Sequence, residues 1–276
     1  MIRTPTQQRP GRRQRGVLTA IVVSGVLACS GLVHTAAAHD GEIRWRTIHT
    51  AHAQVHFPAS HRALAEHVAD VFEDGWRELT PVFNYRAVTP VHVTIDDYVD
   101  ATNGFANPRP YDRIHMRAYP PRWLDDLAGH GDWVRLLIFH ELAHLLHLGN
   151  HAGVAKIVNT VLGRTYLPNQ YLPRLLVEGI AVWAESRKRG FDRNGRGRID
   201  SPQFMMKLRS LLLDAAMPKL QELTGRPLRW PRGNGWYLYG SLLVDHQVRH
   251  YGEAKLRAFI HAYGSRPVPF AVNALY

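Results

Sequence analysis

The residues of this chain with the clearest chemical potential are the histidines and the glutamate of the segment His140-Glu141-Leu142-Ala143-His144. On an α-helix four residues turn through about 400°, so His140 and His144 would lie on one face, one turn apart. Two imidazoles placed in this way can bind one zinc ion, and Glu141 beside them can act as a general base. The spacing therefore predicts a zinc site that activates water. The alternative is a buried helix with incidental histidines.

The sequence around the motif predicts the helix that would carry it. Asp132 is a favourable N-cap residue, and a largely apolar run extends from Trp133 to Leu148. Ionisable side chains in such a helix need partners, because burying them unpaired is costly. This cost favours the functional interpretation of the two histidines and the glutamate.

A catalytic zinc ion needs a third protein ligand and an open position for water. The single cysteine, Cys29, lies in a segment that we expect to be removed. A metzincin has a glycine and a third histidine at fixed distances after the second motif histidine, but Gly149 and His151 are out of register with that pattern. Glu178, a charge in an apolar stretch followed by Gly179, is the remaining candidate, with an ordinary salt-bridged helix glutamate as the alternative.

At this point the sequence resembles a known family. H-E-L-A-H at residues 140–144 and L-x-E-G-x-A-x-W-x-E at residues 176–185 are similar to the gluzincin, or peptidase MA-like, zinc metallopeptidases. The segments Trp230–Gly240 and Tyr251-Gly252 are similar to a helix pair that follows the ligand helix in bacterial members. The resemblance covers roughly residues 40–276, and it implies that the third ligand comes from the helix after the motif helix.

That third ligand would be Glu178. The sequence departs from the family at Val182, where some gluzincins have an aspartate as an outer-shell partner of a zinc histidine. Glu185 lies seven residues after Glu178, on the same helix face, and could take that role or be a surface residue.

The resemblance also implies the fold class, which is an α+β, zincin-like metallopeptidase domain. A small N-terminal mixed sheet, with an edge strand beside the motif helix, would precede a mainly helical C-terminal half. The sequence pattern predicts strands at residues 43–57 (a strand or hairpin), 91–95 and 113–118. The resemblance assigns the edge position, where an extended substrate pairs, to Arg113–Ala118.

Helices and loops are predicted between and after these strands. A long amphipathic helix would begin at the cap Ser60 and end at Pro81, and residues 96–110 would form a loop. Ala152–Leu162 is predicted as a connecting helix and residues 166–173 as a loop. Ser201-Pro202 would cap a later helix. Its inward side would carry Met205, Leu208, Leu211 and Leu212.

One glycine-rich segment, residues 191–203, begins like an EF-hand calcium loop. Arg196 and Gln203 occupy positions where calcium needs carboxylate oxygens. We therefore interpret the segment as a glycine-rich loop without calcium.

The N-terminus has the pattern of a secretory signal peptide, predicted at residues 1–38. Five arginines in the first 15 residues precede an apolar stretch, Val17–Val33, and an A-x-A site. We expect an exported protein, periplasmic or extracellular, with a domain at residues 39–276 that could be truncated at its C-terminus. An uncleaved anchor, or lipid attachment at Cys29, is the alternative and would tether the chain to a membrane.

Charge composition excludes one class of partner. Without the leader, 29 basic and 23 acidic residues remain, a net charge of +6 with the histidines neutral. This mild excess comes without any nucleic-acid-binding motif, so we expect no nucleic-acid partner. Weak attraction to an anionic envelope surface is compatible with it.

The expected activity is zinc-dependent hydrolysis of peptide bonds in a peptide or protein substrate. Zn²⁺ held by His140, His144 and Glu178 would activate a water molecule, and Glu141 would accept its proton. Gluzincins place a tyrosine or histidine from a later helix near the oxyanion, and Tyr237 is the first candidate here, before Tyr239. The competing hypothesis is a catalytically silent zincin-fold module that binds components of the cell envelope.

Overall fold

Alternating apolar residues build a five-stranded mixed sheet at the beginning of the described chain. The strands are β1 (Trp45–His49), β2 (Ala53–Pro58), β3 (Val91–Asp96), β4 (Gly104–Asn107) and β5 (Arg113–Arg117). Their order across the sheet is β1-β2-β3-β5-β4. β1 and β2 form an antiparallel hairpin, β2, β3 and β5 run parallel, and β4 pairs with β5 antiparallel. The predicted strands at residues 43–57, 91–95 and 113–118 are therefore confirmed in type.

The computed structural model describes residues 43–122, 125, 127–128, 131–187, 197–225 and 228–268. Residues Arg44–Tyr276 group into one compact unit. The predicted leader with Cys29, and the first part of the EF-hand-like segment, lie outside the described residues.

The edge of the sheet differs from the prediction. β5 lies inside the sheet between β3 and β4, so residues 113–118 are not an edge strand. The edge strand on that side of the sheet is β4, within the segment that we predicted as a loop. It lies beside the motif helix, since a Cβ added to Gly104 would be 3.1 Å from Leu137 Cδ1. β4 has the sequence Gly-Phe-Ala-Asn, which lacks β-branched residues, so its pairing with β5 rather than its own pattern makes it a strand.

The described part of the chain contains eight α-helices. They are α1 (Arg62–Phe83), α2 (Trp133–Leu148), α3 (Gly153–Leu162), α4 (Arg174–Glu185), α5 (Pro202–Leu213), α6 (Leu220–Thr224), α7 (Asn234–Tyr251) and α8 (Glu253–Gly264). Of these, α1 and α2 pack against the sheet. The expected mixed α+β class, with a mainly helical second half, is confirmed. Within the described ranges no helix is both long and apolar enough to cross a membrane.

The long helix α1 was predicted with the wrong ends. Ser60 does not cap it, because residues 59–61 form a 3-10 turn and the Ser60 hydroxyl bonds the ring of His61. Pro81 lies inside the helix, which continues to Phe83 and ends at Asn84 in the left-handed conformation. The last turn continues past the proline because Phe83 is buried in the core.

Two predicted caps are confirmed, and two other details change. The Asp132 carboxylate accepts a bond from the backbone N–H of Arg135 at the start of α2, and Ser201 does the same for Phe204 in α5. In α5, Leu211 is buried as expected, but Leu212 is 58% exposed. The predicted loop at residues 166–173 contains a short 3-10 helix, Pro168–Tyr171.

Candidate metal centre

Helix α2 places the two motif histidines side by side in the protein interior. His140 and His144 are 5% and 8% exposed, and their Nε2 atoms are 3.1 Å apart. The helix is apolar on nearly all sides and packs against α1 and the sheet edge, so its position is fixed over its whole length. The two imidazoles therefore meet in a well-packed part of the core.

Helix α4 brings Glu178 to the same point. Glu178 Oε2 lies 3.4 Å from His140 Nε2 and 3.3 Å from His144 Nε2. Its other oxygen, Oε1, accepts a bond of 3.1 Å from Arg174 Nε. One carboxylate oxygen and two imidazole nitrogens thus form a nearly equilateral triangle, and these three buried residues could hold a metal ion.

Glycines set the position of the helix that carries Glu178. A Cβ on Gly179 would lie 2.4 Å from the carbonyl carbon of Gly240 in α7, and one on Gly240 would lie 2.1 Å from Leu175 O. The backbones of α4 and α7 therefore touch at these two residues, which no larger side chain would allow. Gly179 therefore allows the close approach of α4 to α7.

A carboxylate and an arginine lie behind His140. Glu185 Oε2 is 2.8 Å from His140 Nδ1, so Glu185 is a buried partner of a motif histidine rather than a surface residue. Arg198 Nε donates to Glu185 Oε1 at 2.7 Å and Arg198 Nη2 to Oε2 at 2.9 Å. This bidentate ion pair fixes the orientation of the Glu185 carboxylate, which faces the His140 imidazole.

Sequence reasoning did not identify Arg198. It lies in a short 3-10 helix, Arg198–Asp200, and it is only 7% exposed, although arginines are mostly solvated. Gly197 beside it packs against Ser186, where a Cβ would be 2.3 Å from the serine Oγ. The one available signal in the sequence was a glycine, Gly197, directly before the arginine.

The charges around the triangle favour a cation at its centre. Burial and the Arg198 cation oppose protonation of His140, but Glu178 and Glu185 outweigh them and raise its pKa to about 9. Burial alone would raise the pKa of Glu178, yet its bonds to the two histidines hold it well below its usual value. Burial alone would also raise the pKa of Glu185, but Arg198 and His140 lower the pKa of this carboxyl to about 2. Both carboxylates are therefore ionised at neutral pH.

Glu141, the predicted proton acceptor, lies in the buried part of α2 and is 4% exposed. Burial raises its pKa, opposed by the charges of His140 and His144, and Glu178 raises it further. A carboxylate whose pKa is raised toward neutrality is better suited to accept and return a proton than an exposed one.

The two tyrosine candidates lie in different places. The Tyr237 ring centroid is 6.1 Å from that of His140, and the Arg198 guanidinium lies 4.9 Å from the Tyr237 ring centre. Tyr239 lines a separate cavity of about 330 Å³ together with Leu223 and Trp230. The structure therefore brings Tyr237 beside the triangle and directs Tyr239 elsewhere.

The residues of the metzincin alternative do not join the site. His151 Nδ1 lies 2.6 Å from Gly149 O, and its ring packs near Tyr85. His147 is fully buried, and neither of its ring nitrogens has a hydrogen-bond partner among the described residues. The geometry agrees with the sequence register that disfavoured this arrangement.

Comparisons of the sequence with protein-family models and with curated proteins find no match. The assignment of the site therefore depends on its own residues and geometry.

Proposed function

We propose that the chain is an exported zinc metallopeptidase of the gluzincin type, with a zincin-like fold, that hydrolyses peptide bonds. The observation that carries the proposal is the triangle of His140 Nε2, His144 Nε2 and Glu178 Oε2, with sides of 3.1, 3.4 and 3.3 Å. Tetrahedral zinc has bonds of about 2.0–2.1 Å to nitrogen and oxygen, which places neighbouring ligand atoms about 3.3 Å apart. The three atoms have this spacing without any adjustment.

The donor set also favours zinc over calcium and magnesium. Two imidazoles and one carboxylate are the ligands of a hydrolytic zinc site, whereas calcium and magnesium prefer oxygen ligands throughout. Bound here, zinc would supply Lewis-acid chemistry, which lowers the pKa of water and polarises a carbonyl group.

The protein side chains supply the remaining steps. Glu141, next to His140 on α2, accepts the proton of the attacking water and passes it to the leaving amine. Tyr237 donates a hydrogen bond to the oxygen that gains negative charge, because its ring stands beside His140. Glu185, fixed by Arg198, accepts the Nδ1–H of His140, which keeps the Nε2 lone pair directed at the triangle.

A conservative variant tests the role of Glu141. Glu141→Gln keeps the shape of the side chain but removes its basicity, so it should retain zinc at one per chain and lose more than about 100-fold in peptide hydrolysis. His140→Ala and His144→Ala should lose both zinc and activity. Full activity of Glu141→Gln with zinc bound would contradict the proposed chemistry.

The silent-module hypothesis makes a different prediction in the same experiment. The wild-type chain is loaded with zinc, its metal content is measured, and a broad peptide library is digested. Stoichiometric zinc with no cleavage of any peptide would favour a binding module of the cell envelope. Export is tested separately, by finding the N-terminal residue of the protein recovered outside the cytoplasm, which we expect to be His39.

A further inference from the structure

Helix α3 turns its apolar side toward solvent. Its four most exposed apolar side chains, between 47% and 76% exposed, are Val154, Ile157, Val161 and Leu162. At 100° per residue these positions span an arc of about 140°. A surface helix normally points such an arc at the core. Here the residues turned inward are Ala155 and Asn159.

Hydrogen bonds fix this orientation. Asn159 Oδ1 accepts from the backbone N–H groups of Thr165 and Tyr166 at 3.1 and 2.8 Å, and its Nδ2 donates to Tyr166 O at 2.7 Å. At the other end of the helix, the Ala152 N–H donates to Gly264 O at 3.1 Å. Rotating α3 to bury its valines would break the three bonds of Asn159, so the apolar face is held outward by the fold.

The chain around this face is basic. Residues 142–177, which include α3, contain no aspartate or glutamate, and neither do residues 254–268, which meet them through the Ala152–Gly264 bond. The basic residues of the two segments are Lys156, Arg164, Arg174, Lys255, Arg257 and Arg266. Arg164 and Arg174 are paired with Asp112 and Glu178. Exposed Lys156 contributes positive charge on α3 itself, on the polar side of the helix opposite the apolar arc.

We propose that the α3 face, defined as Val154, Ile157, Val161 and Leu162, docks on a bilayer surface that contains anionic lipids. Ten residues give a helix about 15 Å long, enough to lie in the interface with its apolar side among the acyl chains. A protein partner would be expected to meet a mixed surface, because such interfaces are about as polar as the rest of a protein. This arc is purely aliphatic, and the opposite side of the helix carries the cation Lys156, which is the pattern of an interfacial helix.

Vesicle sedimentation tests the proposal. The chain from residue 39, which contains the whole compact unit Arg44–Tyr276, is mixed with vesicles of phosphatidylcholine alone or with phosphatidylglycerol. We expect binding to the mixed vesicles, weaker binding to phosphatidylcholine, and a loss of about tenfold or more for the double variant Ile157→Glu/Val161→Glu. This site is independent of the proposed peptidase centre, so the experiment needs no enzymatic activity.

A matched control separates the α3 face from exposed apolar residues in general. Leu212→Glu/Leu213→Glu adds the same charge at two exposed leucines of α5, which are 58% and 86% exposed, and should bind vesicles within about twofold of wild type. Circular dichroism should show both variants folded, because all four side chains are exposed.

Three outcomes would overturn the proposal. The first is equal vesicle binding by the α3 variant and wild type. The second is a wild-type chain that does not bind vesicles but is dimeric in light scattering and becomes monomeric in the α3 variant, which would assign the face to a second copy of the chain. The third is binding that emerges only after residues 269–276 are deleted, which would assign the face to the end of the chain.

Discussion

The contact between Gly179 and Gly240 should control both the stability of the fold and the metal affinity of the triangle. A Cβ at position 179 would lie 2.4–2.7 Å from three backbone atoms of Gly240, and ordinary contacts begin near 3.4 Å. Gly179→Ala therefore requires α4 and α7 to separate by roughly 1 Å at this point, because backbone cannot rotate away as a side chain can.

The magnitude follows from two opposing effects. Overpacking a well-filled contact costs about 1–3 kcal/mol and occasionally more. A 2.4 Å approach to backbone belongs in the upper part of that range, about 2–3 kcal/mol. Alanine is more favourable than glycine inside a helix by about 1 kcal/mol. We expect Gly179→Ala to lower the free energy of unfolding by about 1–2 kcal/mol. Gly240→Ala should cost more, about 3 kcal/mol, because its Cβ would be only 2.1 Å from Leu175 O.

The loss in metal affinity should be larger than the loss in stability suggests. Glu178 precedes Gly179 directly, and metal sites tolerate ligand displacements of about 0.2 Å. Even a fraction of a 1 Å separation would move Glu178 Oε2 away from the histidines, so zinc affinity should fall by at least about tenfold. Urea unfolding of the metal-free chain measures the first effect, and competition with a chromophoric chelator measures the second.

Gly235→Ala, in the first turn of α7, is the matched control. Its Cβ would meet nothing closer than 3.5 Å, so its stability should equal that of wild type or exceed it by up to about 1 kcal/mol, with unchanged zinc affinity. Wild-type stability and zinc affinity in Gly179→Ala would refute the reasoning, since they would mean that α4 and α7 can separate without moving Glu178.

Three further predictions concern the groups around the triangle. Arg198→Met leaves Glu185 buried without its cation, so urea unfolding should show a free energy of unfolding lower by about 3–5 kcal/mol. Chelator competition should show zinc affinity lower by about 10–100-fold. An unchanged zinc affinity would contradict a role of Arg198 in the site. Tyr237→Phe should lower peptide hydrolysis by about 100-fold with zinc content unchanged, whereas Tyr239→Phe should not, and equal effects of the two would contradict the assignment. Burial, with the neighbouring His144 charge, lowers the pKa of His147 from 6.5 to about 3. The unfolded chain therefore takes up this proton first, and stability is lost as pH falls through the window from 6.5 to 3. Between about pH 7.5 and pH 5.5, His147 accounts for a loss of about 1.4 kcal/mol in the free energy of unfolding. Urea unfolding at the two pH values should therefore show the difference in stability between wild type and His147→Phe changing by that amount. A difference that stays constant would contradict the lowered pKa of His147.

The sequence predicted those parts of the fold whose signals are local. The Asp132 and Ser201 caps each need a side chain and a backbone N–H three residues later, so both could be identified from spacing. β4 could not, because its four residues become a strand through pairing with β5. Pro81 also misled the prediction, since burial of Phe83 in the core outweighs the preference to end a helix at proline.

The candidate site shows the same division between local and long-range information. His140 and His144 are four residues apart, so a helix alone brings them together, and the geometry of the motif follows from the sequence. Glu178 needed the packing of α4 on α2, for which the sequence offered only an apolar context and a glycine. Arg198 lies 13 residues after Glu185 in the chain, and no periodic pattern in that segment predicts their contact.

Arg198 nevertheless compensates part of the negative charge of the site. With their carboxylates ionised and both motif histidines neutral, as metal binding requires, the buried groups Glu141, Glu178, Glu185 and Arg198 carry a net charge of −2. A divalent cation in the triangle would cancel this charge, whereas without Arg198 an uncompensated negative charge would remain beside His140.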